Sequence, residues 1–190
     1  MSHNCLANAN LSYHQDLLAI DVDSAVQTKN IGCRHCSCTL HQSNYPRITF
    51  GLNAEIAPLY DTRFSFSCSV CRRRTMPPSV RFLGRRRYAA TIFILLCASR
   101  SFTPTKRCCE RLAHKLGIYL SLITIKRWKI WWSKCFPKTR FWLAAKARFS
   151  ANICGSPTPK TLLQSFVGAS LSQQLSAMLL FLSPLTTHVN

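Results

Sequence analysis

Cys33-Arg-His-Cys36 and Cys68-Ser-Val-Cys71-Arg72-Arg73-Arg74 are the two stretches on which the fold turns. Each Cys-x2-Cys pair fits a tight turn that aims two sulfurs in one direction, and 31 residues separate the pairs. Four such sulfurs suit a tetrahedral ion, so Zn2+ is the expected cofactor, with Cys33, Cys36, Cys68 and Cys71 as its ligands. The need for a metal is physical. A unit of roughly 40 residues buries too little apolar surface to offset its chain entropy, and coordination makes up the difference. The spacing therefore predicts a structural zinc in a ribbon-like unit over residues 31–76.

Around the first pair, Cys38, His35 and His41 lie close enough in sequence to replace a ligand, although His35, inside the knuckle, is expected to point outward. Cys5, Cys97, Cys108, Cys109, Cys135 and Cys154 lack the paired spacing and are expected to pack in apolar surroundings. Eleven cysteines would suit a disulfide framework in a secreted chain. Met-Ser-His-Asn-Cys, however, has neither the basic start nor the apolar core of a signal peptide, so reduced thiols and a cytoplasmic, nucleoid-associated location are expected.

Short alternating stretches such as Arg47-Ile-Thr-Phe50 and Arg63-Phe-Ser-Phe66, broken by Pro46, Gly51 and Pro58, predict brief strands with little core. Residues 1–30 are polar apart from Leu17 to Val22 and are expected to form a weakly ordered arm. Pro77-Pro78 predicts a hinge. Beyond it the pattern predicts helices over 79–98, Thr105 to Leu116, Leu122 to Cys135 and Thr139 to Arg148, then a C-terminal helix within 160–187, near Leu171 to Leu182. The expected class is α+β, mainly α: a four-cysteine ribbon followed by a helical domain over 79–150. Tyr88 to Ala98 is the most apolar run, about half the length needed to cross a bilayer, so no membrane span is expected.

Charge separates the two halves. Lys and Arg total 25 against 6 Asp and Glu, a formal net charge of +19. Residues 1–62 hold 3 basic and 5 acidic side chains, whereas residues 63–160 hold 22 basic and one acidic, Glu110. Such a block repels itself unless a polyanion neutralises it, and duplex DNA is the expected partner. Arg72, Arg73, Arg74, Arg81, Arg85, Arg86 and Arg87 place seven arginines within 16 residues. Guanidinium forks match phosphate oxygens, so the cluster is expected on the surface as a DNA grip without sequence choice.

Lys106 to Gly117 and Leu122 to Trp132 have the pattern of a helix-turn-helix. Leu112 and Leu116 share one helical face, Ala113 leaves room for a second helix, and Gly117 suits the turn. In the second segment Ile125, Trp128 and Trp132 form an inner stripe, leaving Lys126, Lys129 and Ser133 elsewhere, as a recognition helix requires.

Taken together, Arg63-Phe-Ser-Phe-Ser-Cys68-Ser-Val-Cys71-Arg-Arg-Arg74, Pro77-Pro-Ser-Val-Arg-Phe-Leu-Gly-Arg-Arg86, Lys126-Arg-Trp-Lys-Ile-Trp-Trp132, Phe141-Trp-Leu-Ala-Ala-Lys-Ala-Arg-Phe149 and Phe181-Leu-Ser-Pro184 resemble small bacterial zinc-ribbon and helix-turn-helix proteins associated with transposable elements. The resemblance covers roughly residues 30–187. It implies a transposase-like DNA binder, with Cys33, Cys36, Cys68 and Cys71 on the metal and Lys126, Arg127 and Lys129 in the DNA-contacting helix. Gly117 to Trp128 is longer than the family pattern.

Catalysis is not expected. Metal-dependent strand transfer needs two or three carboxylates at one site, and five of the six acids, Asp16, Asp21, Asp23, Glu55 and Asp61, fall in the first 61 residues. Any chemistry would come from a separate transposase or recombinase subunit, and no small-molecule substrate is expected. Two other classes remain open: a protein-interaction adaptor docked through the ribbon, and a degenerate mobile-element remnant.

Overall fold

Helix α1 (Leu11–Ile31) is capped by Asn10, whose side-chain oxygen accepts the Tyr13 N–H at 3.1 Å. It belongs to a computed structural model that describes residues 10–83, 87–98, 105–116, 119–155 and 157–187. The arm expected over residues 1–30 is, in its described part, this helix. Tyr13, His14, Leu17, Asp21, Ala25 and Thr28 recur every three or four positions and are all buried. Only one of the six is a large aliphatic, which hides the stripe from a hydrophobic reading. Two of the polar members are held by distant partners instead: His14 Nδ1 lies 2.7 Å from the Tyr60 hydroxyl, and Asp21 meets three residues described below.

Gly32 ends α1 at φ 84° and ψ −168°, a conformation closed to other residues. A Cβ there would stand 3.1 Å from the Ser37 carbonyl oxygen. The chain then enters two small antiparallel sheets. Strand β1 (Leu40–Gln42) pairs with β4 (Phe66–Cys68), and β4 with β5 (Arg74–Thr75). Separately, β2 (Tyr45–Pro46) pairs with β3 (Thr62–Arg63). Leu40 sits opposite Cys68, so β1 and β4 bring the two knuckles into one register. Ala25, Cys33, Leu40, Phe66 and Cys68 form one buried cluster, which ties α1 to the cysteine loops.

The strands are two or three residues long, yet the unit has a true core in Ile56, Tyr60, Val80, Phe82 and Leu83, all buried. The Pro77-Pro78 hinge is corrected on the same ground. Arg63 Nη2 donates to the Pro77 carbonyl at 2.7 Å, and Ser79 to Leu83 are buried in the same unit. Nor is 79–98 one helix. Phe82 bridges Ala89 in antiparallel fashion, and among the described residues of this stretch only α2 (Ala90–Ala98) is helical. Asp21 accounts for this, because its carboxylate accepts from Ser79 Oγ, the Val80 N–H and Arg81 Nε, holding that segment in a bend.

Two compact units result: the described residues up to Ala90 with those from Leu179 onward, and Thr91–Met178. Among its described residues the second has helices as its only regular elements, with α3 (Lys106–Leu116), α4 (Leu122–Ile130), α5 (Arg140–Ala145), α6 (Ala151–Gly155), α7 (Pro159–Gln164) and most of α8 (Leu171–Leu182). Ser121 caps α4, and a π-helical turn, Trp131–Cys135, followed by a 3-10 turn, Phe136–Lys138, extends it. The core of this unit is aromatic. Phe93, fully buried, meets Trp128 edge-on at 4.9 Å and stacks on Trp132 at 5.8 Å, and contacts run on through Phe136, Trp142, Phe149 and Phe166. The architecture is α+β and mainly helical, as expected. Among the described residues no helix is long and apolar enough to cross a membrane.

Candidate metal centre

The two knuckles are the same loop built twice. The N–H of Cys33 donates to the Cys38 carbonyl, and that of Cys68 to the Arg73 carbonyl, each at 3.0 Å and each spanning five residues. The residue after the second cysteine, Ser37 in one loop and Arg72 in the other, takes a left-handed conformation, at φ 57° and 59°. Neither is glycine, so each accepts local strain of about 1 kcal/mol. The reward is a backbone that turns its amides inward. The N–H groups of His35 and Cys36 point to the Cys33 sulfur, and those of Val70 and Cys71 to the Cys68 sulfur. Likewise the N–H of Cys38 serves Cys36, and that of Arg73 serves Cys71.

Facing each other through the Leu40–Cys68 register, the loops bring all four Sγ atoms within 4.8 Å of one another. Cys33 and Cys71 sulfurs are 3.5 Å apart, and Cys36 and Cys68 sulfurs 3.4 Å. A tetrahedral ion with metal–sulfur bonds near 2.3 Å needs sulfur–sulfur edges of about 3.8 Å. The group therefore has the composition and spacing to hold a metal ion. Cys33 and Cys68 are buried, Cys36 and Cys71 half-buried.

Electrostatics sorts the thiols into two kinds. At Cys33 donation from the His35 N–H is the largest influence and lowers the pKa. Burial opposes the Cys68 thiolate, but donation from Val70, Cys71 and the neighbouring thiols outweighs it and brings it to about 6. At Cys36 the Cys38 N–H favours the thiolate, yet the sulfurs of Cys68, Cys33 and Cys71, with burial, push it up to about 12. Cys71 is raised in the same way by burial and by its sulfur neighbours, against the Arg73 N–H. Crowding of four sulfurs sets this pattern, and a bound cation offsets it by drawing charge from all of them.

The three possible substitute ligands stand apart. His35 points outward, with Nδ1 3.0 Å from Arg73 Nη1. His41 is exposed on β1. The Cys38 thiol donates to the Cys36 carbonyl at 3.3 Å and lies outside the four-sulfur group. The expectation of apolar packing for the remaining cysteines fails at Cys135, which is exposed, and Cys97, Cys109 and Cys154 are only half-buried. Cys5 and the side chain of Cys108 lie outside the described residues.

The arginine cluster divides. Arg72, Arg73 and Arg74 are exposed beside the second knuckle. Arg73 reaches His35 across the two loops, and Arg74 reaches Ser43 Oγ at 3.4 Å. Arg34, exposed in the first knuckle, adds a cation that spacing alone did not single out. Arg87 is exposed with its guanidinium 4.2 Å over the Phe50 ring. Arg85 and Arg86 lie outside the described residues.

Arg81 is not a surface residue. Only 2% exposed, it donates through Nε to Asp21 at 2.8 Å, through Nη2 to the Thr62 carbonyl and through Nη1 to the Leu59 carbonyl. Its assignment to a DNA surface is corrected accordingly, since every edge of the guanidinium is engaged within the core. Arg63, which the spacing did not mark, is buried too, and desolvation lowers its pKa to about 10.

In the helical unit the expected inner stripe is present: Ile125, Trp128 and Trp132 are buried. Lys126, Arg127 and Lys129 are exposed on α4. Gly117, assigned to the turn, and the side chains of Leu112 and Leu116 lie outside the described residues. Set against models of protein families, characterised proteins and solved structures, the chain matches none.

Proposed function

We propose that this chain is a zinc-stapled, basic duplex-DNA-binding protein of the mobile-element-associated type, with no catalytic core of its own. The observation that carries the proposal is the second knuckle, whose left-handed Arg72 turns Arg72, Arg73 and Arg74 to solvent beside the four-cysteine group. Zinc fits four thiolates in tetrahedral array, has no redox demands and would lock the β1–β4 register. In this reading the described strands around the knuckles are a zinc ribbon. A rigid loop then presents three guanidiniums to phosphate oxygens, and a formal net charge of +19 supplies long-range attraction.

Helices α3 and α4 would form the helix-turn-helix-like part, contributing Lys126, Arg127 and Lys129 as further cations. They receive second place, because the outward side of α4 also carries Ile123 and Ile130. Strand cleavage would belong to a separate transposase or recombinase subunit, and the expected setting is the bacterial nucleoid.

The test joins metal content to salt-dependent titration of a labelled duplex, using protein purified reduced and without chelator. One zinc per chain and a steep fall of affinity with salt are expected. Arg72→Ala with Arg73→Ala and Arg74→Ala should lower the slope of log K against log salt by about 2 to 3. An unchanged slope overturns the assignment of the knuckle arginines, and absence of zinc overturns the staple.

A further inference from the structure

Ile123 and Ile130 are 62% and 51% exposed on α4, directly opposite the buried Ile125 and Trp128. Seven residues make two helical turns, about 10 Å, so the two isoleucines stand one above the other along the outward face. Lys126 and Arg127 lie between them on that face, Lys129 at its margin, and exposed Lys134 follows in the π-helical turn. From Leu122 to Cys135 there is no acidic residue. The face is thus an apolar seam at heptad spacing with cations on its flanks.

We propose that this face docks an acidic amphipathic α-helix of another protein, one with aliphatic residues along its own seam and Glu or Asp beside them. Charge selects the occupant. A second copy would set Lys126, Arg127, Lys129 and Lys134 against the same four cations, and like charges across a helix pair are unfavourable. A DNA duplex would satisfy the cations but offer the isoleucines only thymine methyls. An anionic bilayer needs a broad apolar stripe, and the broad stripe of α4 is turned into the aromatic core. A partner helix with an aliphatic seam and acidic flanks meets both halves of the pattern at once.

The inference goes beyond the DNA-binding proposal: it gives Lys126, Arg127 and Lys129, that proposal's secondary contacts, to a protein partner, but uses none of the knuckle residues, so the two can fail separately. The probe is a synthetic peptide of about three heptads with Leu at a and d and Glu at e and g, compared with a scrambled peptide of the same composition. Binding to the full, metal-loaded chain is followed by fluorescence anisotropy at physiological ionic strength. The patterned peptide should bind about tenfold or more tighter than the scrambled one, about 1.4 kcal/mol. Ile123→Ser with Ile130→Ser should erase that difference while leaving helical circular dichroism and duplex affinity unchanged. If that variant loses its helical signal, Ile123→Lys alone replaces it.

Equal affinity for the two peptides overturns the proposal. So does a double serine variant that still discriminates between them. Should the serine variant weaken duplex binding instead, with peptide binding unaltered, the face belongs to nucleic acid and the docking proposal falls, while the knuckle assignment stands on its own salt slope.

Discussion

The Asp21 carboxylate and the Arg81 guanidinium meet 2.8 Å apart where neither side chain is more than 2% exposed. They come from the middle of α1 and from a bend 60 residues later. Asp21 also accepts from Ser79 Oγ at 2.6 Å and from the Val80 N–H at 2.7 Å, so a single carboxylate fixes three consecutive residues. Removing it strands a buried guanidinium. Asp21→Ala should cost about 3 to 5 kcal/mol, read as a shift of the urea midpoint, whereas Asp23→Ala, exposed two residues on, should stay within about 0.5 kcal/mol. Equal shifts in the two variants would remove Asp21 from this role.

Metal removal should act on one unit. All four tryptophans, Trp128, Trp131, Trp132 and Trp142, lie in Thr91–Met178. If the four-cysteine group holds the proposed zinc, chelation, or Cys68→Ser, should abolish amide protection across residues 32–76 and release the ion, with tryptophan emission kept. Structural zinc in small domains contributes on the order of 10 kcal/mol, and the two- and three-residue strands beside the knuckles have few hydrogen bonds with which to replace it. Protection that survives complete chelation would show that the β1–β4 register holds without an ion.

Gly32 is the joint between α1 and the first knuckle. Gly32→Ala meets both a forbidden backbone conformation and the Ser37 and Cys38 carbonyl oxygens, 3.1 and 3.3 Å from the new Cβ. The expected cost is about 1 to 3 kcal/mol, with weaker retention of metal in competition with a chelator. Gly155→Ala is the control, since nothing stands within 4 Å of its new Cβ. Matching chelator curves for the two variants would count against the joint.

Arg72→Gly separates conformation from charge. Glycine relieves the left-handed strain at φ 59°, worth about 1 kcal/mol, and gives back a similar amount through unfolded-chain entropy. Thermal stability should therefore hold or rise slightly. The salt slope of duplex binding should fall by about 0.9, the contribution of one phosphate contact. A variant that loses stability and keeps its slope would make Arg72 a structural residue only.

Much of the four-cysteine group was legible in the chain, because a Cys-x2-Cys spacing is a local property: four residues set the turn wherever it is placed. The inner stripe of α4 was legible for the same reason, since Ile125, Trp128 and Trp132 keep helical period with large apolar groups. Helix α1 was not. Its buried stripe includes His14 and Asp21, whose compatibility with a core depends on partners such as Tyr60 and Arg81 that no local window contains. Arg81 was misplaced for the mirror-image reason, as one of seven arginines with nothing in the spacing to distinguish it.

Composition, charge and local period thus settled the α+β class, the two Cys-x2-Cys turns and the basic character of residues 63–160, because each depends on residues adjacent along the chain. Which arginines face solvent, where one unit ends and the next begins, and that Pro77-Pro78 is anchored instead of free were settled by pairing across long loops. A buried charge is tolerated only where its counter-charge arrives, and Asp21 reaches Arg81 only once the chain has folded back on α1.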